Sequence, residues 1–224
     1  MNWKNKTNKL IIFVHGLTGH KNEHIYYNAA RFFPKHDFAT FRFDLYSGNK
    51  KGRRLRDCTI HTHANDINTV AHNFAKKFKK IYLVGHSLGA PSIIFSDTYA
   101  AKAIVLWDPA SVDIKMFDSF CKYNEKLDAY IIDWGTQAIM SKEMYNEMGH
   151  GKEWLEKLSK IKVPIKVIGA TEGDSFMKKS RMAYFKKSNE PKDIVFIKGA
   201  GHTFSEEGAE EKLFKETLKW VKKY

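Results

Sequence analysis

A serine lies between two glycines in Gly85-His86-Ser87-Leu88-Gly89, directly after four apolar residues. This spacing is typical of a strand, a sharp turn with the serine at its tip, and a helix that starts at once. A side chain at position 85 or 89 would collide with the neighbouring strand and helix. We therefore predict that Ser87 is a nucleophile for attack on an acyl carbonyl.

A serine hydroxyl is a poor nucleophile unless a base takes its proton. His202 is the candidate base, because it follows an apolar run at 194–197 that we interpret as the last strand. Gly199 and Gly201 leave the backbone free to aim the imidazole. The chain order of serine, acid and histidine supports this assignment over a surface histidine.

An acid should orient the imidazole and stabilise its protonated form. Asp174 is our first choice, because it is short, follows Gly173 and comes after the apolar run that ends at Gly169. Glu172 is the main rival. Asp108, at the end of the preceding predicted strand, is a third candidate, since the strand that carries the acid can vary while its geometry is kept.

Two backbone N–H groups are expected to stabilise the oxyanion that forms in the reaction. The N–H of Leu88 should lie at the start of the helix after Ser87, where unpaired N–H groups favour negative charge. The second N–H should come from Leu17, in the His15-Gly16-Leu17 loop after the first apolar run. His15 is expected to stabilise that loop by hydrogen bonding rather than to take part in catalysis.

These segments must be positioned by strands and helices, and the hydrophobic periodicity predicts both. Apolar runs typical of strands alternate with segments in which apolar residues recur at helical spacing. The predicted strands are 10–14, 39–45, 81–84, 103–107, 164–169 and 194–197, and the predicted helices are 23–33, 62–78, 175–187 and 206–222. Such alternation predicts an α/β fold with a mostly parallel sheet and helices on both faces.

Residues 111–160 interrupt the alternation of strands and helices. They contain helical stretches, aromatic residues and several methionines, but no clear strand between two helices. We interpret them as a small helical cap, inserted over the strand ends of a single domain that spans 1–224. Most of the methionine and aromatic side chains are expected to pack, and some to line an apolar acyl or aryl pocket.

Composition narrows the class of protein. The 224 residues include 43% hydrophobic residues, enough for a substantial core. The two cysteines give neither a disulfide framework nor a metal-ligand cluster, which favours a reducing cytoplasm. The first apolar run has five residues, too few for a signal peptide or a membrane span. His61 and His63 lack matching ligands nearby, so no metal site is predicted.

The formal net charge is +13. Because the lysines are spread along the chain and accompany no nucleic-acid motif, a specific nucleic-acid partner is not expected. The charge can still favour acidic substrates by steering them toward the protein.

The chain resembles the α/β-hydrolase superfamily in His15-Gly16, in the pentapeptide around Ser87 and in Gly201-His202, each following a predicted strand. Segments 15–22 and 55–60 are similar to those of bacterial cinnamoyl/feruloyl-esterase-like and monoacylglycerol-lipase-like members. The resemblance implies a trimmed sheet of about six strands, because only nine residues precede Leu10. The superfamily's usual Gly-x-x-Asp after the penultimate strand is replaced here by Gly169-Ala-Thr-Glu172.

Together these observations predict a serine carboxylesterase that acts on a small-molecule acyl ester without a cofactor. Ser87, His202 and Asp174 would form the triad, with Leu17 and Leu88 as oxyanion donors. Thioesterase, lipase, peptidase and acyltransferase activities use the same groups and remain alternatives. A hydrolase-like protein that binds a ligand without turnover is a further alternative.

Overall fold

The computed structural model describes residues 7–49, 51–172 and 175–224. Six parallel strands form the central sheet, in the order β2-β1-β3-β4-β8-β9. These strands are β1 (Lys9–Val14), β2 (Ala39–Arg42), β3 (Lys80–His86), β4 (Ala101–Trp107), β8 (Ile165–Ala170) and β9 (Lys192–Ile197). The predicted parallel sheet of six strands is confirmed.

Seven α-helices are formed by the described residues. They are α1 (His24–Phe32), α2 (Ile60–Ala75), α3 (Gly89–Phe95), α4 (Lys142–Met148), α5 (Gly151–Leu158), α6 (Ser175–Lys187) and α7 (Ala209–Val221). Short 3-10 helices cover Phe33–His36, Leu55–Asp57 and Ile114–Phe117. The four helices predicted from periodicity correspond to α1, α2, α6 and α7.

Successive side chains of a strand point to opposite faces of the sheet, and this alternation divides the core in two. Leu10 and Ile12 of β1 belong to the hydrophobic cluster that packs against α2, α3, α5 and α6. Ile11 and Phe13 belong to the cluster that packs against α1 and α7. Because both faces are covered, the strands are almost continuously apolar, which is the pattern that made them predictable.

Segment 111–160, which we interpreted as an insertion, contains strands that were not predicted from the sequence. Between β4 and α4 it forms a separate antiparallel sheet of β5 (Cys121–Asn124), β6 (Ala129–Asp133) and β7 (Gln137–Met140). Only α4, α5 and a 3-10 turn match the expected helical character. The strands are four or five residues long and carry exposed polar or charged side chains, so they show neither a long apolar run nor a regular alternation.

The insertion is attached to the start of α2. Ser141 Oγ donates a hydrogen bond to the Cys58 carbonyl (2.8 Å), and Glu147 accepts hydrogen bonds from the N–H of Ile60 and from the His61 ring. Met140, Met144 and Met148 are buried in the core cluster, as expected for packing residues.

His61 and His63, the pair considered for metal binding, lie in different environments. His61 pairs with Glu147, whereas His63 is 1% exposed and stacks on Tyr46. Within the described ranges, no three His, Cys, Asp or Glu side chains are grouped so that they could hold a metal ion. Every helix in the same ranges is too short or too polar to cross a lipid bilayer.

His63 is expected to make folding sensitive to acid. Neither of its ring nitrogens has a hydrogen-bond partner among the described residues, and burial lowers its pKa to about 3. Between pH 6.5 and that value the unfolded chain binds a proton that the folded chain excludes. Stability therefore falls with falling pH by up to about 1.4 kcal/mol per pH unit from this one residue.

We predict that His63→Phe, which removes the titrating group but keeps a ring beside Tyr46, flattens this dependence. Urea unfolding at pH 7.5 and at pH 4.5 should show a smaller loss of unfolding free energy in the variant than in the wild type. The control is His150→Phe at an exposed site, which should keep the wild-type loss. Equal losses in His63→Phe and wild type would contradict the prediction.

Candidate active site

Ser87 lies in the turn between β3 and α3 with a backbone φ of 53°, a conformation that is uncommon outside glycine. The glycines on either side of it leave no room for a side chain. A Cβ at Gly85 would lie 2.6 Å from the Gly89 carbonyl oxygen, and a Cβ at Gly89 would lie 2.4 Å from the Val14 carbonyl oxygen. The local backbone therefore has the shape that the motif predicted, with the serine side chain at the tip of the turn.

The turn is tied to the end of β4 by two backbone hydrogen bonds. The Ser87 N–H donates to the Trp107 carbonyl (3.0 Å), and the Ala110 N–H donates to the Ser87 carbonyl (3.1 Å). Asp108 lies between these two β4-side partners. The nucleophile candidate and this carboxylate are thus fixed relative to each other by the backbone.

The loop after β1 lies against Ser87. A Cβ at Gly16 would lie 2.9 Å from the Ser87 Cβ, so only glycine allows this approach. The Gly16 carbonyl accepts hydrogen bonds from His15 Nδ1 (2.9 Å) and from the Tyr46 hydroxyl (3.2 Å). With its oxygen held in this way, the loop presents the next residue, Leu17, to the cavity beside Ser87.

His15 has the structural environment that the sequence analysis expected. Its Nε2 accepts a hydrogen bond from the Leu45 N–H (3.0 Å), so the ring proton lies on Nδ1 and is donated to Gly16. Burial lowers the pKa of His15 to about 4, so the ring is neutral near pH 7. Both nitrogens are occupied by the backbone, which fixes the loop.

Leu17 and Leu88, the two predicted oxyanion donors, line the same cavity as Ser87. Within the described part of the chain, no hydrogen bond has the backbone N–H of either residue as its donor. These N–H groups are therefore available to an acceptor in the cavity.

His202 follows β9, and its side chain is 42% exposed toward the same cavity. Its Nδ1 donates a hydrogen bond to Asp108 Oδ2 at 2.6 Å. This contact leaves Nε2 as the nitrogen that can act as a base. No hydrogen bond between Ser87 and His202 occurs among the described residues, and such bonds often form only when substrate binds.

Asp108 has no exposure to solvent, and hydrogen-bond donors surround its carboxylate. Besides His202, the Ala170 N–H donates to Oδ1 (2.9 Å), Arg181 Nη2 donates to Oδ2 (2.8 Å), and Arg181 Nε lies 2.5 Å from Oδ1. Burial raises the pKa of Asp108, but the hydrogen bonds and charges of His202 and Arg181 outweigh burial and hold the pKa below its usual value. The carboxylate is therefore ionised.

Of the three acid candidates, Asp108 is the one that contacts His202 among the described residues. Asp174, the first choice, lies outside the described residues. Glu172 is exposed at the cavity, and its carboxylate accepts a hydrogen bond from the neighbouring Thr171 hydroxyl rather than from His202. The carboxylate in contact with His202 Nδ1 is that of Asp108. This contact is made from the end of β4, whereas the spacing from Gly169 favoured an acid after the penultimate strand.

His86 supports the position of His202 and was not identified from the sequence. Its Nε2 donates to the His202 carbonyl at 2.8 Å, and the two ring centroids are 4.7 Å apart. Burial lowers the pKa of His86 to about 3, so it is a neutral donor. His86 directly precedes Ser87 in the motif, and this position is the one feature of the sequence that could have singled it out. No sequence pattern indicates that it contacts a residue 116 positions away.

The cavity that contains these groups has a volume of about 540 Å³. One side is formed by the insertion through Met116, Phe117, Phe120 and Trp134, and Met177 of α6 adds a further apolar surface. Most of the lining is therefore apolar, as expected for a pocket that takes an acyl or aryl group.

Comparison with known proteins agrees with this architecture. A family model for the alpha/beta hydrolase fold matches residues 9–94, which run from β1 into α3. Est1E from Butyrivibrio proteoclasticus, solved with ferulic acid bound, superposes with a TM-score of 0.77 over 98% of this chain and 90% of that chain. The chain has the α/β-hydrolase fold. Identity to Est1E is 18%, and no significant match is found among curated protein sequences.

Two further structures share the α/β-hydrolase fold with this chain. The Paleococcus ferrophilus monoacylglycerol lipase is 17% identical, with a TM-score of 0.72 over 95% of this chain and 93% of that chain. The esterase domain of a Rhodothermus marinus protein is 15% identical, with a TM-score of 0.74 over 97% of this chain and 88% of that chain. At these identities the similarity concerns the fold, and the chemistry has to be argued from this chain's own side chains.

The close packing around Ser87 in this α/β-hydrolase fold generates a prediction. Gly89→Ala should destabilise the protein by about 1–3 kcal/mol, because its Cβ would meet backbone of β1 that cannot move aside. Gly48→Ala is the matched control, since a Cβ there has no neighbour within 4 Å and should change stability by less than about 0.5 kcal/mol. Urea denaturation measures both, and equal effects would contradict the prediction.

Proposed function

We propose that this protein is a serine hydrolase that cleaves carboxylic esters through an acyl-enzyme on Ser87. His202 acts as the base, and Asp108 replaces Asp174 as the orienting acid. The observation that best supports the proposal is the 2.6 Å contact between His202 Nδ1 and Asp108, at a cavity that also contains Ser87. A buried ionised carboxylate on Nδ1 fixes the tautomer in which Nε2 accepts a proton.

In the proposed reaction the Ser87 hydroxyl attacks the ester carbonyl while His202 Nε2 takes its proton. Asp108 stabilises the imidazolium that results, and His202 then gives the proton to the leaving alcohol. Water, activated by the same imidazole, hydrolyses the acyl-enzyme and releases the acid. The unpaired N–H groups of Leu17 and Leu88 would hold the oxyanion of each tetrahedral intermediate, where one such donor typically contributes about 2.7–4 kcal/mol.

The preferred substrate is proposed to be a small ester with an apolar acyl or aryl group. The lining by Met116, Phe117 and Met177 supports this choice. We propose that segment 111–160 acts as a cap on a single domain, because Phe120 and Trp134 of the insertion form part of the same cavity. Est1E with bound ferulic acid and a monoacylglycerol lipase among the similar structures agree with an ester substrate.

The nucleophile is tested with a fluorophosphonate probe and with p-nitrophenyl acetate, butyrate and octanoate. Wild type should be labelled and should hydrolyse at least one of the esters, whereas Ser87→Ala should lose labelling and turnover, because no hydroxyl remains to form the covalent adduct. Ser92→Ala, which changes a buried serine on α3, is the control and should still be labelled. A folded but unlabelled and inactive wild type would favour a binding protein without turnover.

The orienting acid is tested by comparing three carboxylates in one assay. Asp108→Asn should lower kcat by roughly 10³–10⁴-fold, because an amide can neither fix the tautomer nor stabilise the imidazolium. Glu172→Gln and Asp174→Asn should retain kcat within a few-fold. Circular dichroism and active-site titration with the probe separate a loss of chemistry from a loss of folded protein. A large loss in Asp174→Asn with an active Asp108→Asn would restore the first choice from the sequence.

A further inference from the structure

Arg181 is a buried cation behind the proposed triad. It lies on α6, is 2% exposed, and forms its ion pair with Asp108, the only acidic partner it has among the described residues. Removing a guanidinium from water is costly, and its attraction to a carboxylate balances this cost only when the geometry is good. Here Arg181 Nη2 donates a hydrogen bond to Oδ2 at 2.8 Å, and Nε lies 2.5 Å from Oδ1 without forming a hydrogen bond.

The fold makes room for the Arg181 side chain. A Cβ at Gly169 would lie 2.7 Å from Arg181 Cδ, so a larger residue at this position of β8 would displace the arginine. The preceding residue, Ser180, fixes the same turn of α6 to the segment after Asp108. Its hydroxyl hydrogen-bonds the Ser111 hydroxyl (3.1 Å) and accepts from the Val112 N–H (3.2 Å). Two consecutive residues of α6 are therefore attached to the loop that carries the acid.

We propose that Arg181 is a positioning residue of the active site, which holds the Asp108 carboxylate against His202 and offsets the charge of that carboxylate. The inference rests on the proposed function, since it assigns Arg181 a part in the same triad. Arg181 acts through Asp108 and touches neither Ser87 nor a reacting atom.

A carboxylate beside an imidazole favours the imidazolium, and a cation on the other side of the carboxylate reduces that effect. The charge of Arg181 therefore opposes the effect of Asp108 on the imidazole. If the pair served stability alone, an apolar pair of similar volume would serve as well or better.

Other groups face His202 and must stay constant in any test of its titration. His86 is neutral near pH 7 because burial lowers its pKa to about 3. The ionisable groups around His202 are Asp108 after β4, Arg181 on α6, His86 at the end of β3, Glu23 before α1, Glu172 after β8 and Glu206 before α7.

The test follows the imidazole of His202 by NMR as the pH is varied, in wild type, Arg181→Gln and Arg181→Lys. The resonance is assigned by its loss in His202→Gln. Arg181→Gln should move the titration midpoint of His202 upward by about one pH unit or more, because the opposing charge is gone. Arg181→Lys keeps the charge and should stay close to the wild-type midpoint. Arg53→Gln, which breaks the exposed Arg53–Asp66 pair, is the matched control and should not shift it.

A kinetic measurement accompanies the titration. The acid limb of the kcat/KM profile should move to higher pH in Arg181→Gln and stay in place in Arg181→Lys. The lysine variant should still lose about tenfold in kcat, because an ammonium cannot reproduce both guanidinium contacts. A folded Arg181→Gln with an unchanged His202 midpoint would overturn the proposal and leave Arg181 a purely structural role.

Two outcomes need separate treatment. If Arg181→Gln does not fold, the Arg181→Lys variant tests the proposal. A tenfold loss in kcat together with an unmoved acid limb of the kcat/KM profile supports the proposal. A wild-type kcat in this variant overturns it. An inactive wild type counts against the proposed function alone, since the midpoint of His202 is measured without turnover.

Discussion

A carboxylate without exposure to water must find its hydrogen-bond donors within the fold, and those of Asp108 come from three separate elements. Ala170 donates from the end of β8, Arg181 from α6 and His202 from the loop after β9. One carboxylate accepts hydrogen bonds from all three elements. The register of β4 on β8, the packing of α6 and the position of the His202 imidazole therefore depend on the same group. A shift in any of these elements would remove one of the donors of a buried charge, and an incompletely paired charge is costly inside a protein.

Backbone strain is concentrated around this carboxylate. Among the described residues, six other than glycine have positive φ, and four of these are Thr18, Ser87, Asp108 and Phe204. Each of the four lies in a loop at the carboxyl end of a different strand of the main sheet. Residues keep backbone conformations of this kind only where many contacts with the surrounding structure hold them in place. The parallel pairing of the central strands, which between β3 and β4 is uninterrupted from Tyr82 to His86, provides that constraint, since it fixes where each strand ends.

The parts of the molecule that could be predicted from the sequence are those that depend on local patterns. The strands of the central sheet and the glycine-flanked Ser87 follow from apolar runs and from steric limits that act within a few residues. The choice of Asp108 among the three acid candidates, and the positions of His86 and Arg181 beside it, depend on contacts between residues distant along the chain, which no local pattern indicates. The antiparallel sheet of the insertion was missed for a related reason. Its short strands are held by packing, as in the stack of Tyr130 on Tyr145, rather than by a strong apolar alternation.

The net charge of +13 acts over longer distances than the groups that line the cavity, and the two favour different substrates. The field of the whole chain attracts anions over a distance of about a Debye length. Inside the cavity the described lining contains Glu23 and Glu172, and its one Lys or Arg side chain is Arg181, whose charge is paired with Asp108. Burial raises the pKa of Glu23, the direction expected for a carboxyl group at an apolar surface. An anionic ligand would meet the carboxyl groups of Glu23 and Glu172 and no free Lys or Arg side chain in the described lining, so the cavity suits an uncharged ligand despite the basic surface.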